Sequence, residues 1–177
     1  KAITTDAAGS TVVTATALKA TTQTFKDQLG LAANLTLTGT TISLEKGAKN
    51  QTAATQKDLT VNASLASTIG GTVGTTTVGD GLLSLTTDAP GTSTIKATSV
   101  NAVTQAYNDK VVVSGSVTLG GYATTGSSDA VTFKKAVDGV AANSGNLTLK
   151  TVGGATFDST IGSSKALGTL TVDSTVA

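Results

Sequence analysis

Two related stretches of the chain decide the fold. The first, "TTQTFKDQLGLAANLTLTG", occupies Thr21–Gly39, and the second, "VTQAYNDKVVVSGSVTLGG", occupies Val103–Gly121. When the two stretches are aligned at their first residues, apolar positions of one copy meet apolar positions of the other. Similar residues meet at Gln23 and Gln105, Phe25 and Tyr107, Asp27 and Asp109, Leu35 and Val117, and Leu37 and Leu119. An internal repeat of this kind is typical of arrays and solenoids.

The repetition extends beyond these two stretches. "ITTDAAG" around Asp6 is followed by "LTTDAPG" around Asp88, and "LGTLTVD", which ends at Asp173, begins another copy. After an insertion, "TISLEKG", "DLTVN" and "STIG" of the first copy correspond to "VTFKKAVDG", "NLTLK" and "STIG" of the second. We therefore expect a first β-strand repeat over 1–83, a second over 84–169 and the start of a third over 170–177. The pattern suggests a piece of a longer array.

Within each repeat the hydrophobic pattern has a period of two. Segments such as "NLTLTG" and "GTLTVDS" alternate apolar residues with Thr or another polar residue, and Gly, Asn or Asp bound them. The many Thr residues of the chain support this interpretation, because Thr is β-branched and favours strands. The sequence therefore predicts an all-β protein, with strands starting near Val12, Thr24, Leu35, Ile42 and Leu59.

Two all-β architectures fit this pattern. In a β-solenoid, taken as a right-handed parallel β-helix, each repeat would form about four coils of roughly 20 residues. In the alternative, tandem β-sandwich modules, each repeat would be one domain. Small aliphatic residues, abundant Thr, the absence of Trp and a single Pro favour the solenoid.

The order of the short motifs resembles a known class of bacterial surface proteins. "ITTDAAG", "QTFKD", "QAYND", "VTFKKAVDG", "NLTLK" and "ALGTLTVD" are similar to the repeats of filamentous-haemagglutinin-like and autotransporter-passenger-like β-strand-repeat proteins. The resemblance implies a secreted or surface-displayed rod in a long chain, serving adhesion, biofilm or cell-envelope architecture. It assigns no catalytic residue. Glu45–Lys57 in the first repeat departs from the pattern, because it has no counterpart of the "VDG" turn that the second repeat has at Val137–Gly139.

The composition argues against the common kinds of chemistry. The chain contains no His, Cys, Arg, Met or Trp, so it lacks the usual triad base and the usual zinc and haem ligands. We predict no enzyme activity and no catalytic, cofactor-binding or metal residues. The scattered acids, such as those of Gly79–Gly81 and Val137–Gly139, are interpreted as turn formers. Asp6, Asp88 and Asp173 recur once per repeat and suggest a turn ladder; a shared ion is the less favoured alternative.

Several other features bear on binding. A net charge of +1 without Arg gives no electrostatic basis for nucleic-acid binding, and no apolar run is long enough for a transmembrane helix. The glycine-rich Gly70–Gly81 lacks the Lys and the following helix of a phosphate loop.

Phe25 and Tyr107 are expected in the core, and without Trp no sugar platform is visible. Thr-x-Thr pairs, which could order water, lie at Thr14/Thr16, Thr36/Thr38 and Thr92/Thr94, and glycosylation sequons begin at Asn34, Asn50, Asn62 and Asn146.

Together these features predict a structural or adhesive rod segment of a secreted bacterial surface protein, which extends or assembles into a fibre or coat. The alternatives are a self-assembling surface-layer or filament subunit, and a carbohydrate- or ice-binding solenoid. Expected partners are copies of the chain or neighbouring repeats, because solenoid ends expose unpaired strand edges. A host or matrix glycan or protein is a further candidate; nucleic acid and membrane insertion are not expected. The predicted location is extracellular or on the bacterial cell surface.

Overall fold

A computed structural model describes residues 1–53, 55–75, 77, 81–88, 90–120 and 129–173. These ranges contain strands and turns but no helix, and therefore no helix suited to spanning a lipid bilayer. Their strands are β1 (Ala2–Thr4), β2 (Ser10–Val13), β3 (Ala17–Lys19), β4 (Thr22–Phe25), β5 (Gln28–Leu31), β6 (Leu35–Leu44), β7 (Ala48–Asn50), β8 (Asp58–Ile69), β9 (Leu82–Thr87), β10 (Thr92–Ile95), β11 (Ser99–Tyr107), β12 (Lys110–Val113), β13 (Ser116–Gly120), β14 (Ala130–Phe133), β15 (Val137–Gly139), β16 (Asn146–Lys150), β17 (Ala155–Phe157) and β18 (Thr169–Asp173).

Parallel pairing arranges these strands in three ladders. Ladder I contains β3, the first halves of β6 and β8, β9, the second half of β11, β14 and β17. Ladder II contains β1, β4, the second halves of β6 and β8, β10, β12 and β15, and it ends at a bridge to Ile161. Ladder III contains β2, β5, β7, the start of β11, β13, β16 and β18, with a bridge at Val73.

The chain is a β-solenoid of about seven turns, as the sequence predicts. It visits ladders I, II and III in that order on every turn, and all pairings between the described strands are parallel. Tandem β-sandwich modules are excluded, because sandwiches are built from antiparallel sheets. The right-handed sense of the solenoid stays a prediction.

The period of two in the sequence separates the inside of the solenoid from its surface. In β4, Gln23 and Phe25 are buried while Thr22 and Thr24 are partly exposed, and β10 and β12 of ladder II alternate in the same way. The predicted strand start at Ile42 is wrong, because β6 runs without a break from Leu35 to Leu44 and turns a corner where its register shifts.

Gly39 makes that corner possible. A Cβ atom at this position would lie 2.4 Å from the carbonyl oxygen of Ala20 on the preceding turn. A side chain of any size would therefore force two backbone segments apart. The glycine is required by the close approach of successive turns rather than by an unusual dihedral angle.

Turn length varies, and the repeat does not contain a whole number of turns. The turn from Ser10 to Gln28 is much shorter than the turn from Ser116 to Asn146. With the Val73 bridge counted as a strand position, the repeat from β1 to β9 covers eleven ladder positions. Eleven positions are three turns and two thirds, which agrees with the expected count of about four turns per repeat but is not a whole number. Each repeat is consequently rotated by one side relative to the previous repeat.

Residues that correspond in the two repeats nevertheless make the same contacts. Nε2 of Gln23 donates hydrogen bonds to the carbonyl oxygens of Leu18 and Thr38, at 3.3 and 2.9 Å. Nε2 of Gln105 donates to the corresponding carbonyl oxygens of Val100 and Gly120, at 3.1 and 2.9 Å. The alignment of the two repeats thus describes equivalent local structures on different sides of the solenoid. The limits of the repeats stay a prediction.

The core is a set of side-chain stacks that run along the solenoid axis. Phe25 and Tyr107 are both buried, which confirms the prediction that they are core aromatics. On ladder I, Tyr107, Phe133 and Phe157 occupy successive turns with ring centroids 5.1 and 5.0 Å apart and nearly parallel planes. The separation follows from the spacing of about 4.8 Å between neighbouring strands. The stack ends at Phe157, which is only partly buried.

Replacement of Phe133 tests the importance of this stack. Phe133→Ala should lower the free energy of unfolding by about 3–5 kcal/mol, because it empties the middle of a buried stack. Phe157→Ala is the matched control and should cost clearly less, because that ring is partly exposed already. Urea denaturation followed by circular dichroism measures both values. Equal losses would show that the stack does not stabilise the core in the way described.

Candidate functional site: a groove at one corner of the solenoid

Buried aspartates join successive turns at the corners. Asp27 accepts hydrogen bonds from the hydroxyl groups of Thr5 and Thr11, the latter at 2.6 Å. In the second repeat, Asp109 accepts the equivalent bonds from Thr87 and Ser93, at 2.6 and 2.7 Å. Each carboxylate thus links its own turn to the preceding one. These acids have a structural role at the corners, and their hydrogen-bonding capacity is used within the protein.

Asp138 is not the turn residue that the sequence predicts. Val137–Gly139 forms strand β15, and all three residues are buried. Oδ2 of Asp138 lies 2.8 Å from Nζ of Lys110 on the preceding turn, and Oδ1 accepts the backbone N–H of Ser164 on the next. The turn interpretation failed because a buried aspartate with an ion-pair partner is compatible with a strand. The other predicted turn acid, Asp80, lies outside the described residues.

The predicted turn ladder of acidic residues is also absent. Asp6 follows β1 on ladder II, Asp88 follows β9 on ladder I, and Asp173 ends β18 on ladder III. They lie several turns apart on three different sides, so they cannot share an ion. Within the described ranges, no three acidic residues cluster closely enough to hold a metal ion.

A groove opens at the corner between ladders I and II. Its volume is about 590 Å³, which falls within the usual range of small-molecule sites. The lining residues are Lys1, Lys19, Ala20, Thr21, Thr38, Gly39, Thr40, Asn62, Ser64, Asp88 and Pro90. Small residues at the corner leave the space open.

One wall of the groove is a column of four polar side chains on four successive turns. Lys19 is in register with Thr38, and Thr38 is in register with Asn62. The residues before Asn62 and Asp88, which are Val61 and Thr87, are also paired, so Asp88 lies next to Asn62 on the following turn. Three strand spacings of about 4.8 Å place the two ends of the column about 14 Å apart. The wall therefore offers an ammonium group at one end, a carboxylate at the other, and a hydroxyl and an amide between them.

Asn62 has an unused hydrogen-bond acceptor. Its Oδ1 is shielded from solvent, and it accepts no hydrogen bond from any described residue. The other sequon asparagines have partners: Asn34 Oδ1 accepts the N–H of Asp58, Asn50 Nδ2 donates to the Gly81 carbonyl, and Asn146 Nδ2 donates to Ser116 Oγ. An unpaired buried acceptor costs free energy.

Sequence reasoning did not find this column. Its members are separated by unequal lengths of chain, so no fixed spacing marks them. In the sequence, Asn62 stands out only as the start of a sequon, and Asp88 only as one of three recurring acids. Unequal turn lengths, which the residues at the corners decide, hide the column in the sequence.

A second surface feature is the outward side of ladder II. One file of this face contains Thr22, Thr41, Ala66 and Thr92, and the other contains Thr4, Thr24, Ser43, Thr68 and Thr94. We call this surface the hydroxyl face. Of the three predicted Thr-x-Thr pairs, only Thr92/Thr94 belongs to it, since Thr36/Thr38 lies on ladder I and Thr14/Thr16 lies between strands.

Comparison with known proteins gave no relative. No model of a protein family matches the chain, and no curated protein or solved structure matches it. The likeness to filamentous-haemagglutinin-like and autotransporter-passenger-like repeats therefore stays a prediction from the motifs.

The corner carboxylates should make the stability of the protein sensitive to acid. Burial opposes ionisation of Asp27, but hydrogen bonds from Thr11, Thr5 and the backbone outweigh burial and hold its pKa below the ordinary value of 3.8. Because the folded-state pKa is lowered, the stabilisation is complete well above pH 3.8 and is lost as the pH falls below that value. The same direction holds for Asp138, where the partners that outweigh burial are Lys110 and two backbone N–H groups.

Asp27→Asn tests this linkage. The variant should be less stable than the native chain at neutral pH, and the difference should shrink as the pH falls below 3.8. Asp6→Asn, at an exposed position, is the control and should follow the native curve. Thermal unfolding measured across this pH range gives the comparison. A difference that grows in acid would contradict the assignment.

Proposed function

We propose that this chain is a stiff spacer segment of a secreted or surface-displayed bacterial protein. The observation that carries the proposal is the continuity of three parallel ladders through about seven turns. In such a stack each turn contacts only its neighbours, so length grows by adding turns without a new core. The resemblance of the repeats to those of bacterial surface proteins supports the location.

The way in which side chains are used also supports a spacer. Three buried acids, Asp27, Asp109 and Asp138, bind neighbouring turns to each other. The aromatic rings stack along the axis rather than around a cavity. Both kinds of contact hold one turn in fixed register on the next and should make the distance between the ends constant.

Distances between spin labels test this proposal directly. The chain contains no cysteine, so Ala7→Cys with Ser163→Cys gives a unique pair near the same corner, seven turns apart. We expect a narrow distance distribution near about 34 Å, from seven spacings of about 4.8 Å. The pair Ala7→Cys and Ser114→Cys, five turns apart, should give about 24 Å.

Double electron–electron resonance measures both distances. A broad distribution for either pair would contradict a stiff spacer, even if the fold is correct. Distances that fail to scale with the number of turns would contradict the stacked architecture itself. Circular dichroism of each labelled variant provides the control that the cysteine substitutions leave the fold intact.

The hydroxyl face favours a second candidate function, which is the ordering of water as in ice binding. One file, from Thr4 to Thr94, carries a hydroxyl group on every turn at a spacing of about 4.8 Å, while the other is interrupted at Ala66; the two files are about 6.6 Å apart along each strand. These positions are partly exposed, and no charged side chain occupies them between Ala2 and Thr94. A regular and uncharged array of hydroxyl groups is the kind of surface that can match a lattice of water molecules.

Ice-recrystallisation inhibition tests this second candidate. The native chain should slow crystal growth, and Thr68→Lys, in the middle of the face, should abolish the effect. Thr132→Lys, at an equivalent outward position on ladder I, is the control and should retain it. No inhibition by the native chain, or equal loss in both variants, would remove this candidate.

A further inference from the structure

We propose that the outer edge of β18 binds a second copy of this chain by strand exchange, in which β18 of one copy replaces β1 of the next. The inference names a partner for the spacer, but it does not rest on the stiffness of a single chain. Its basis is a short element of sequence that occurs in β1, at the end of β9 and in β18. Among the described strands, only the copy in β9 has strand partners on both edges.

The copy in β9 is the complete form of this element. Leu85 is paired with Leu59 on the preceding turn and with Gln105 on the following turn. The side chain of Leu85 is buried between these neighbours. The strand that follows β9 therefore shows which kind of strand can cover the element: one with Gln opposite the leucine and an aromatic residue two positions later.

The copies in β18 and β1 each have one of these two neighbours. Leu170 of β18 is paired with Leu147 on the preceding turn, and within the described strands nothing pairs with the other edge of β18. Ile3 of β1 is paired with Gln23, the counterpart of Gln105. The kind of strand that β18 lacks is therefore present in a second copy as β4, where β1 covers it.

The side chains at this edge favour its coverage by another strand. Leu170 and Val172 point inward, as their buried partners in β16 do, yet they are 40% and 52% exposed. By contrast, β1 contributes three residues to its pairing with β4, and only Ile3 among them is partly buried. Exchange would replace these residues with Thr169–Val172 and would bury two apolar side chains, a favourable change.

The two sides of the solenoid that follow β18 also gain neighbours by exchange. Because the chain visits ladders I, II and III in order, β2 of the second copy would lie on β17, and its β3 would lie beside Ile161. The same step occurs within the chain, where β10, the counterpart of β2, lies on the second half of β8. In that register Val13 of the second copy would cover Phe157, whose ring ends the aromatic stack. The contact joins two different surfaces, so it can continue into a filament.

Val172 provides a test in which association becomes tighter. In the first repeat the corresponding residue is Thr5, whose hydroxyl group donates to Asp27. In the second repeat it is Thr87, which donates to Asp109. After exchange, Val172 would lie beside Asp27 of the second copy without donating a hydrogen bond. Val172→Thr should therefore lower the dissociation constant of the assembly about tenfold, as expected for one added hydrogen bond to a carboxylate.

Sedimentation velocity over a range of concentrations measures the association of each variant. The native chain should self-associate, and Leu170→Lys should prevent association because it places a charge at an inward position. Thr171→Lys, on the outward side of the same strand, is the matched control and should associate as the native chain does. Circular dichroism checks that each variant is folded. A native chain that stays monomeric at every soluble concentration overturns the inference, as does weaker association of Val172→Thr.

Disulfides between chains identify the register. Exchange places Thr171 of one copy opposite Thr24 of the next, as Thr86 and Ala106 are paired within the chain. The strand spacing of about 4.8 Å lies within the range of Cα separations that a disulfide can bridge. A chain with Thr171→Cys should therefore crosslink to a chain with Thr24→Cys. Stacking without exchange would instead place β3 on β18, so Thr171→Cys with Lys19→Cys is the control pair and should not crosslink.

Strand exchange is overturned if the first pair forms no disulfide, or if the control pair forms one in preference. Neither result would alter the distances between spin labels within one chain, on which the spacer proposal depends.

Discussion

The structure depends on one constraint: successive turns must stack in parallel register, so that each backbone amide finds its partner on the next turn. Because neighbouring strands are about 4.8 Å apart, equivalent inward positions recur at this interval along the axis. Each inward side chain must therefore pack against the equivalent side chains of the preceding and following turns. Small aliphatic residues satisfy this requirement, as do flat rings that lie parallel, such as Tyr107 and Phe133. The prevalence of small aliphatic residues in the core is thus a consequence of the stack.

Buried polar groups in a stack of this kind need hydrogen-bond partners, and many of them lie where the chain turns. Gln23 and Gln105 donate to carbonyl groups next to the corners, and Asp27 and Asp109 accept hydrogen bonds from hydroxyl groups of the preceding turn. The corners therefore contain the most specific interactions of the fold. They explain why these two residue types recur at equivalent positions of the two repeats while surface residues between them vary.

The sequence was sufficient to predict the all-β solenoid and the burial of Phe25 and Tyr107, because alternation and internal similarity reflect the stack directly. It was not sufficient to predict that each repeat is rotated by one side relative to the previous repeat. Residues 67–70 and 159–162 both have the sequence "STIG", yet the first segment ends a buried strand and the second is an exposed bend with a single bridge. A four-residue sequence does not show how long the preceding corner is, so it does not fix which strand position the segment occupies. For the same reason the groove, which assembles residues from four turns of unequal length, could not be predicted.

The number of strand positions per repeat also decides on which side of the solenoid a surface column recurs. Eleven strand positions do not divide by three, so the column on ladder I recurs in the second repeat on ladder III, as Asn101, Gly120, Lys150 and Asp173. A repeat of twelve positions would place every copy of a column on one side. With eleven, a rod can present its corner columns on each side in turn while its core stays unchanged. Divergence of the surface, as between Asn62 and Lys150, then alters what each side can bind without weakening the stack.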